Sequence, residues 1–352
     1  MESIKVVCWG LGSMGSGIAR LLLSKDGVEI VGAIDQDPAK AGHMLNEVLA
    51  VNAPPTRGGE VTVMDRPQEV LARVRADIAI IATGSFISDV YPQILAAVEH
   101  KINVITIAEE MGQPRAQHPK EADELHRAAF RNGVTVLGTG VNPGFVLDTL
   151  IIALTGVCAD IQSIKATRIN DLSPYGPTVL RTQGVGTTVE EFNKGLEEGR
   201  IFGHIGFPES MRLITDALGW DLDEVRQVRK PIVSKTRRVT PHVTVEPGMV
   251  AGCEHVAYGI KDGRTVITLE HPQQVLPQSE GVETGDYIHI QGTPEINLQI
   301  KPEIAGGVAT TALAANMIPH VLNARPGLVT MREMPVPAAV LGDMRRLLTR
   351  GR

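Results

Sequence analysis

The strongest constraint on how this chain folds is the pattern of its first 140 residues, where short, almost continuously apolar runs alternate with amphipathic stretches. The runs are IKVVCWG (4–10), VEIVGAID (28–35), EVTVM (60–64), ADIAIIATG (76–84), NVITIAE (103–109) and GVTVLGTG (133–140). Strand-length segments without polar alternation suit parallel strands covered on both faces. Between them, SGIARLLLSK, PQEVLARVR, PQILAAVEH and HPKEADELHRAAFRNG read as helices, the last stopped by Asn132-Gly133. Strand–helix–strand repetition predicts right-handed crossovers and a doubly wound α/β sheet.

After residue 145 the rhythm changes. IQSIKATRIND (161–171) alternates like a strand, and Thr188-Val189-Glu190-Glu191 is a capping box opening the helix VEEFNKGLEEG. Pro208 opens a second helix, PESMRLITDALGW. VAYGI (256–260) and RTVITLEH (264–271) flank Lys261-Asp262-Gly263, a hairpin signal, and DYIHIQG (286–292) with INLQIK (296–301) predicts a second antiparallel pair. The expectation is an α+β region with an open, mainly antiparallel sheet. A last helix is predicted over 307–323, followed by the Pro- and Gly-containing segment ARPGLVTM.

The chain has 352 residues, enough for two domains. Its 34 Lys+Arg against 40 Asp+Glu give a net charge of −6, with no basic excess to attract nucleic acid or an anionic membrane. The longest apolar region, LIIALTGVCA (150–159), is half a membrane span, and the N-terminus has no signal-peptide pattern. Three scattered cysteines, Cys8, Cys158 and Cys253, support neither a disulfide framework nor a cysteine metal site, and no H-x-x-x-H pair exists. A reduced, cytoplasmic protein without metal is expected.

Gly10-Leu11-Gly12-Ser13-Met14-Gly15 fits G-x-G-x-x-G at the end of the first strand and the start of a helix. In that context Gly10 makes the tight turn, Gly12 lets backbone approach a pyrophosphate, and Gly15 lets helix and strand pack closely. Asp35 follows 20 residues after Gly15, at the end of the second run. Its carboxylate suits an adenosine ribose and would repel a 2′-phosphate. NAD is therefore expected, with NADP less favoured and Lys40 the only nearby cation. Thr83, Gly84 and Ser85 end the fourth run, where the crevice of such a sheet lies, and are expected beside the cofactor. These features predict a Rossmann domain over 1–143, an α+β substrate-binding and dimerisation domain over 144–306, and a C-terminal helix and tail over 307–352 that returns to the first domain.

Glu109 and Glu110 follow the fifth run. A carboxylate desolvated there titrates nearer neutrality and can move protons, and neighbouring strand residues face opposite ways, so one of the two is expected to act. Asn142 lies at the end of the sixth run. Arg168 and Asn170 share a face of the 161–171 strand, where an arginine can grip a carboxylate, and His271 ends a strand of the second region.

WGLGSMGSG, ITIAEEM, GTGVNPGFVLDTL, RINDLSPYGP, TVEEFNKGLEEG, GHIGFPES, EHPQQV and NMIPHVLNARPGLVTM together resemble the 2,4-diaminopentanoate dehydrogenases and the similar native amine dehydrogenases. The resemblance runs from residue 4 to 337. It implies a two-domain plan like that of dihydrodipicolinate reductase and NAD(P)-dependent oxidative deamination in ornithine breakdown, reversible as reductive amination of ketones or aldehydes with ammonia. It also implies an acid/base glutamate at position 109 or 110, and substrate contacts from Asn142, Arg168, Asn170 and His271. A homodimer is expected by fold analogy. The alternatives are an imine reductase like dihydrodipicolinate reductase, which would carry a basic, His-rich segment near 140–180, and a non-catalytic NAD sensor, which would need no acid after the fifth strand.

Overall fold

A computed structural model describes residues 2–349 and divides the chain into two compact units, one running through Phe145 and resuming at Ala305, the other Val146–Ile304. In the first unit, β1 (Ile4–Trp9) leads through α1 (Ser13–Ser24) to β2 (Val28–Ile34). A short α2 (Leu45–Leu49) and a two-residue β3 (Val63–Met64) follow, and α3 (Pro67–Arg73), β4 (Ile78–Ile81), α4 (Ile87–Glu99), β5 (Asn103–Thr106), α5 (Pro119–Asn132) and β6 (Thr135–Gly138) complete the alternation. These strands stand in the order β6-β5-β4-β1-β2-β3, and every pairing is parallel. The chain reverses its direction of travel across the sheet at β1, and the carboxyl ends of β1 and β4 form the switch point where ligands bind in such folds. Apolar side chains cover both faces. Ile18, Leu22, Ile105 and Leu137 lie in one core layer, and Val90, Ile94, Val104 and Leu125 in the other. Each such side chain contributes roughly 1.5–3 kcal/mol on burial.

The second unit opens with α6 (Thr149–Thr155) and the long β7 (Asp160–Asp171), followed by α7 (Pro177–Thr182), α8 (Val189–Glu197) and α9 (Phe207–Leu218). Then come β8 (Glu224–Val233), the short pair β9 (Arg238–Val239) and β10 (Thr244–Val245), β11 (Val250–Lys261), β12 (Arg264–Gln274), β13 (Gly285–Thr293) and β14 (Ile296–Ile300). The sheet order is β14-β13-β7-β12-β11-β8, with β7–β12 parallel and the other pairings antiparallel. The capping box of α8 is formed: Glu191 N–H donates to Thr188 Oγ1 (3.1 Å) and Thr188 N–H donates to Glu191 (2.8 Å). The β11–β12 hairpin turns through Asp262 and Gly263, both at positive φ (52° and 69°), the conformation that matches the twist of the flanking strands.

The chain then returns to the first unit as α10 (Gly306–Asn316), α11 (Ile318–Asn323) and β15 (Gly327–Val329). The single helix expected over 307–323 is broken at Met317, because Pro319 has no N–H to continue the ladder. β15 pairs parallel with β6 and adds a seventh strand at the sheet's edge. Among the described residues, no helix is long and apolar enough to cross a membrane.

Candidate active site

The glycine loop joins β1 to α1 and is packed tightly behind and open in front. Gly10 has φ +89°, and a Cβ there would stand 2.6 Å from the Ala82 carbonyl oxygen. A Cβ on Gly15 would stand 1.8 Å from the Gly10 carbonyl oxygen, whereas one on Gly12 would meet no atom within 4 Å. No side chain caps α1 at Gly12, so the first-turn N–H groups near Ser13 and Met14 have no side-chain competitor for an anion. Asp35 accepts the Leu11 N–H (2.6 Å) and the Asp37 N–H (2.8 Å), which ties the acid to the loop. Lys40 Nζ lies 3.4 Å from Asp35 and 3.2 Å from Asp37, so its charge is already balanced by two carboxylates. At the end of β4, Thr83 Oγ1 donates to Gln93 (2.6 Å), and a Cβ on Gly84 would stand 2.8 Å from Asp89. These residues fit a dinucleotide whose pyrophosphate meets the loop and whose ribose meets Asp35.

The two glutamates after β5 occupy different environments. Glu110 is buried and structurally committed: its N–H donates to the Ser85 carbonyl (3.2 Å), and its carboxylate accepts the first N–H of α4, from Ile87 (2.7 Å). The same carboxylate oxygen lies 3.2 Å from His118 Nε2. Glu109 is half-buried, and its carboxyl is pushed up to about 7. Burial dominates and the neighbouring Glu110 charge adds to it, outweighing hydrogen bonds from the Ser85 side chain and Glu109's own backbone. Glu109 is thus a carboxyl that titrates near neutrality. Asn142 is buried in the turn after β6, where the adjacent Val141 N–H donates to Thr310 Oγ1 on α10 (3.1 Å).

In the second unit, the remaining expected residues share the inner face of the six-stranded sheet. Arg168 is 2% exposed on an interior strand, not at the surface. Its guanidinium donates to Asp286 (2.6 Å) and to the Ile304 carbonyl (2.5 Å), while the Ile304 N–H donates to the other Asp286 oxygen (2.8 Å). The Asp286 carboxyl is shifted upward, burial outweighing the attraction of Arg168. Asn170 faces Gln273 across the β7–β12 pair, and His271 faces His255 across β12–β11. Neither ring nitrogen of His271 nor Asn170 Oδ1 has a hydrogen-bond partner in the protein, although both residues are 5% exposed. Buried polar atoms without partners cost about 1–3 kcal/mol each and mark surface prepared for a ligand or ordered water.

Reading the sequence alone misses His204, His255, Asp286 and Gln183. The His204 ring meets the His271 ring at 4.7 Å and the Phe207 ring at 4.8 Å, and Phe207 meets His255 at 4.7 Å. Burial first, with Arg168 second, pushes His204 down to about 3, and burial drives His271 well below its usual range, so the imidazoles are neutral. The sequence held no usable signal for His255, because its place opposite His271 depends on a register shift in the hairpin. The signal for Asp286 was that it is the one acid of β13, near the start of the strand. Among the described residues, no three His, Cys, Asp or Glu side chains converge as a metal site.

An open glycine loop at a helix start, an acid bound to it and a carboxyl tuned near neutrality in the same unit define a dinucleotide-dependent oxidoreductase. Residues 4–139 match the profile of the oxidoreductase family with an NAD-binding Rossmann fold, and residues 145–350 match the 2,4-diaminopentanoate dehydrogenase C-terminal domain. The chain is 46% identical to the 2,4-diaminopentanoate dehydrogenase of Acetoanaerobium sticklandii over 99% of its length and 98% of that protein's. It is 24% identical to an amine dehydrogenase of Streptomyces virginiae, covering 96% and 98% of the two chains. Its fold superposes on the amine dehydrogenase of Mycobacterium smegmatis with a TM-score of 0.85 at 27% identity, over 96% and 98% of the chains. The chain belongs to the 2,4-diaminopentanoate dehydrogenase family.

Proposed function

We propose that the protein catalyses the NAD-dependent oxidative deamination of 2,4-diaminopentanoate at C4, giving 2-amino-4-oxopentanoate, ammonia and NADH, with reductive amination as the reverse. The observation that carries this reading is Glu109, a carboxyl pushed up to about 7 at the end of β5, in the unit that holds the cofactor cradle. Bound NAD supplies the hydride acceptor for C4. An ammonium has no lone pair to push a hydride from the adjacent carbon, so Glu109 as carboxylate first takes a proton from the C4 ammonium. After the C4–H bond breaks, the resulting iminium takes up water. Having released its first proton to solvent, Glu109 accepts a proton from that water as the C–O bond forms, returns it to nitrogen, and takes the hydroxyl proton as the C–N bond breaks and ammonia leaves. A group titrating near 7 can serve these transfers. Asn170, His204 and His271 are the groups of the second unit suited to hydrogen-bond the amino-acid end of the substrate, while the charge of Arg168 beside them is balanced by Asp286.

We further propose a cytoplasmic homodimer acting on a free small molecule, with neither nucleic acid nor membrane as partner. The three cysteines are all free thiols, which suits a reducing compartment. The deciding experiment is the rate of NADH formation from 2,4-diaminopentanoate and from 2-aminopentane, with NAD and with NADP. Turnover favouring the diamino acid and NAD supports the reading, and no turnover with either amine sinks it. Light scattering on the eluted enzyme tests the dimer.

A further inference from the structure

We propose that His255 and Gln183 are positioning residues which fix the Gly203–His204 peptide, and so hold the His204 ring against His271 for substrate binding. This rests on the reading of the second unit as the holder of the substrate's amino-acid end. Both polar ends of that one peptide group are held by buried side chains from separate elements. The Gly203 carbonyl accepts from Gln183 Nε2 (2.7 Å), at the end of α7, and the His204 N–H donates to His255 Nδ1 (3.0 Å), on β11. Gln183 is itself braced, its Oε1 accepting from Gln273 Nε2 on β12 (3.4 Å). Gly203 has φ +66°, and a Cβ there would stand 2.9 Å from His255 Nδ1, so the approach requires glycine on both counts.

A peptide in a connecting segment ordinarily finds water or a neighbouring turn. Here two buried side chains converge on one peptide, a third braces one of them, and the residue the peptide carries is the histidine in ring contact with His271. The proton inventory agrees. Nδ1 of His255 accepts, so its proton sits on Nε2, and a doubly protonated ring would lose the bond. Burial, reinforced by Arg229 and His204, pushes His255 down to about 2, which keeps it an acceptor at any pH where the enzyme would work. Arg229, its neighbour across β8, donates through Nε to the Phe202 carbonyl (2.7 Å), fixing the peptide immediately before Gly203. Arg168 and Asp286 cancel in charge on the same sheet face, so the surface that His204 joins can donate to a carboxylate without a net charge to repel an ammonium.

The test compares H255L, H255N and Q183M with wild type by steady-state kinetics. H255L leaves the His204 N–H without its buried acceptor, and the KM for 2,4-diaminopentanoate is expected to rise roughly ten- to a hundredfold, with a smaller change in kcat. Asparagine Oδ1 reproduces the Nδ1 acceptor, so H255N is expected to recover most of that loss. Q183M removes the other half of the clamp and is expected to act in the same direction, which keeps the claim testable where H255L does not fold. The loss on 2-aminopentane, which has no amino-acid end, is expected to be smaller than that on the diamino acid. An unchanged KM in both H255L and Q183M, or equal losses on the two amines without rescue by H255N, overturns the proposal. If the wild type does not turn over the diamino acid, the substrate reading fails and amide hydrogen exchange decides the clamp. Faster exchange at residues 202–206 in H255L, with β1 unaffected, supports it, and unchanged exchange overturns it.

Discussion

Replacing Glu109 with glutamine perturbs both stability and catalysis, and the structure fixes the sign of each. The carboxyl is raised from 4.5 to about 7 in the fold, mainly by burial. Each tenfold change in ionisation equilibrium is about 1.4 kcal/mol, so carrying Glu109 ionised costs the folded state roughly 3 kcal/mol relative to the unfolded chain. Because the folded-state value is the higher one, this penalty is absent below the unfolded pKa, grows between 4.5 and about 7, and is complete above it. Glutamine carries no such penalty. E109Q is therefore expected to be the more stable by up to roughly 3 kcal/mol at pH 8, and by less than about 1 kcal/mol at pH 5; solvent reaching the half-buried side chain lowers the upper figure. The assay is urea denaturation of the cofactor-free proteins at both pH values, following the transition that NADH shifts, since a chain of two units need not unfold in one step. In kinetics, wild-type deamination should rise with pH through about 7 and amination should fall through the same range, whereas E109Q should lose both limbs and about two to four orders of magnitude in turnover. Near-wild-type turnover in E109Q, or a stability difference independent of pH, would refute the reasoning.

Further outcomes are expected at three positions. E110Q keeps an acceptor for the Ile87 N–H but removes the charge that raises Glu109, so the pH midpoint of turnover should move down; E110A should also lower stability by about 1 kcal/mol through loss of the α4 cap, read from its melting curve. D286A leaves Arg168 buried without its partner and should destabilise the second unit by about 3–5 kcal/mol in chemical denaturation. D35A removes the acceptor that binds Leu11 N–H and the group that repels a 2′-phosphate, so KM for NAD should rise roughly tenfold or more while NADP loses less.

The first sheet was legible because parallel strands buried on both faces advertise themselves as unbroken apolar runs, and because the glycine loop and Asp35 occur where that fold uses them. β3 shrank to two residues because only Val63 and Met64 pair with β2, while β15 stayed hidden, since three residues that start with Gly327, directly after Pro326, carry no periodicity. Strand β8 was equally obscure: EVRQVRKPIV is an exposed edge strand whose charges and proline mask its pairing. The histidine cluster fails for a sharper reason. Counted back from the Lys261–Arg264 turn, His255 would stand opposite Glu270, but a register shift between Gly259 and Ile260 brings it opposite His271 instead. A one-residue slip exchanges the faces of a strand, so the local sequence could not reveal that partnership. Arg168 and Asn170 were readable as sharing a face. That Arg168 is bound to Asp286 and the Ile304 backbone was not, because those partners lie more than a hundred residues away.

The C-terminal return has a consequence for how the molecule is made. α10 packs against α1, and β15 closes the edge of β6, so the nucleotide-binding unit is assembled from two stretches separated by the whole of the other unit. During synthesis the central unit can fold as soon as it emerges, while the segment made first waits for the last fifty residues to be translated. Until then β6 presents an open ladder and α1 an uncovered apolar flank, both invitations to association. Expression of the amino-terminal half alone should therefore give aggregate instead of an isolated nucleotide-binding domain, and a permuted chain that begins at Ala305 and runs through a linker into β1 would make that domain contiguous for the first time.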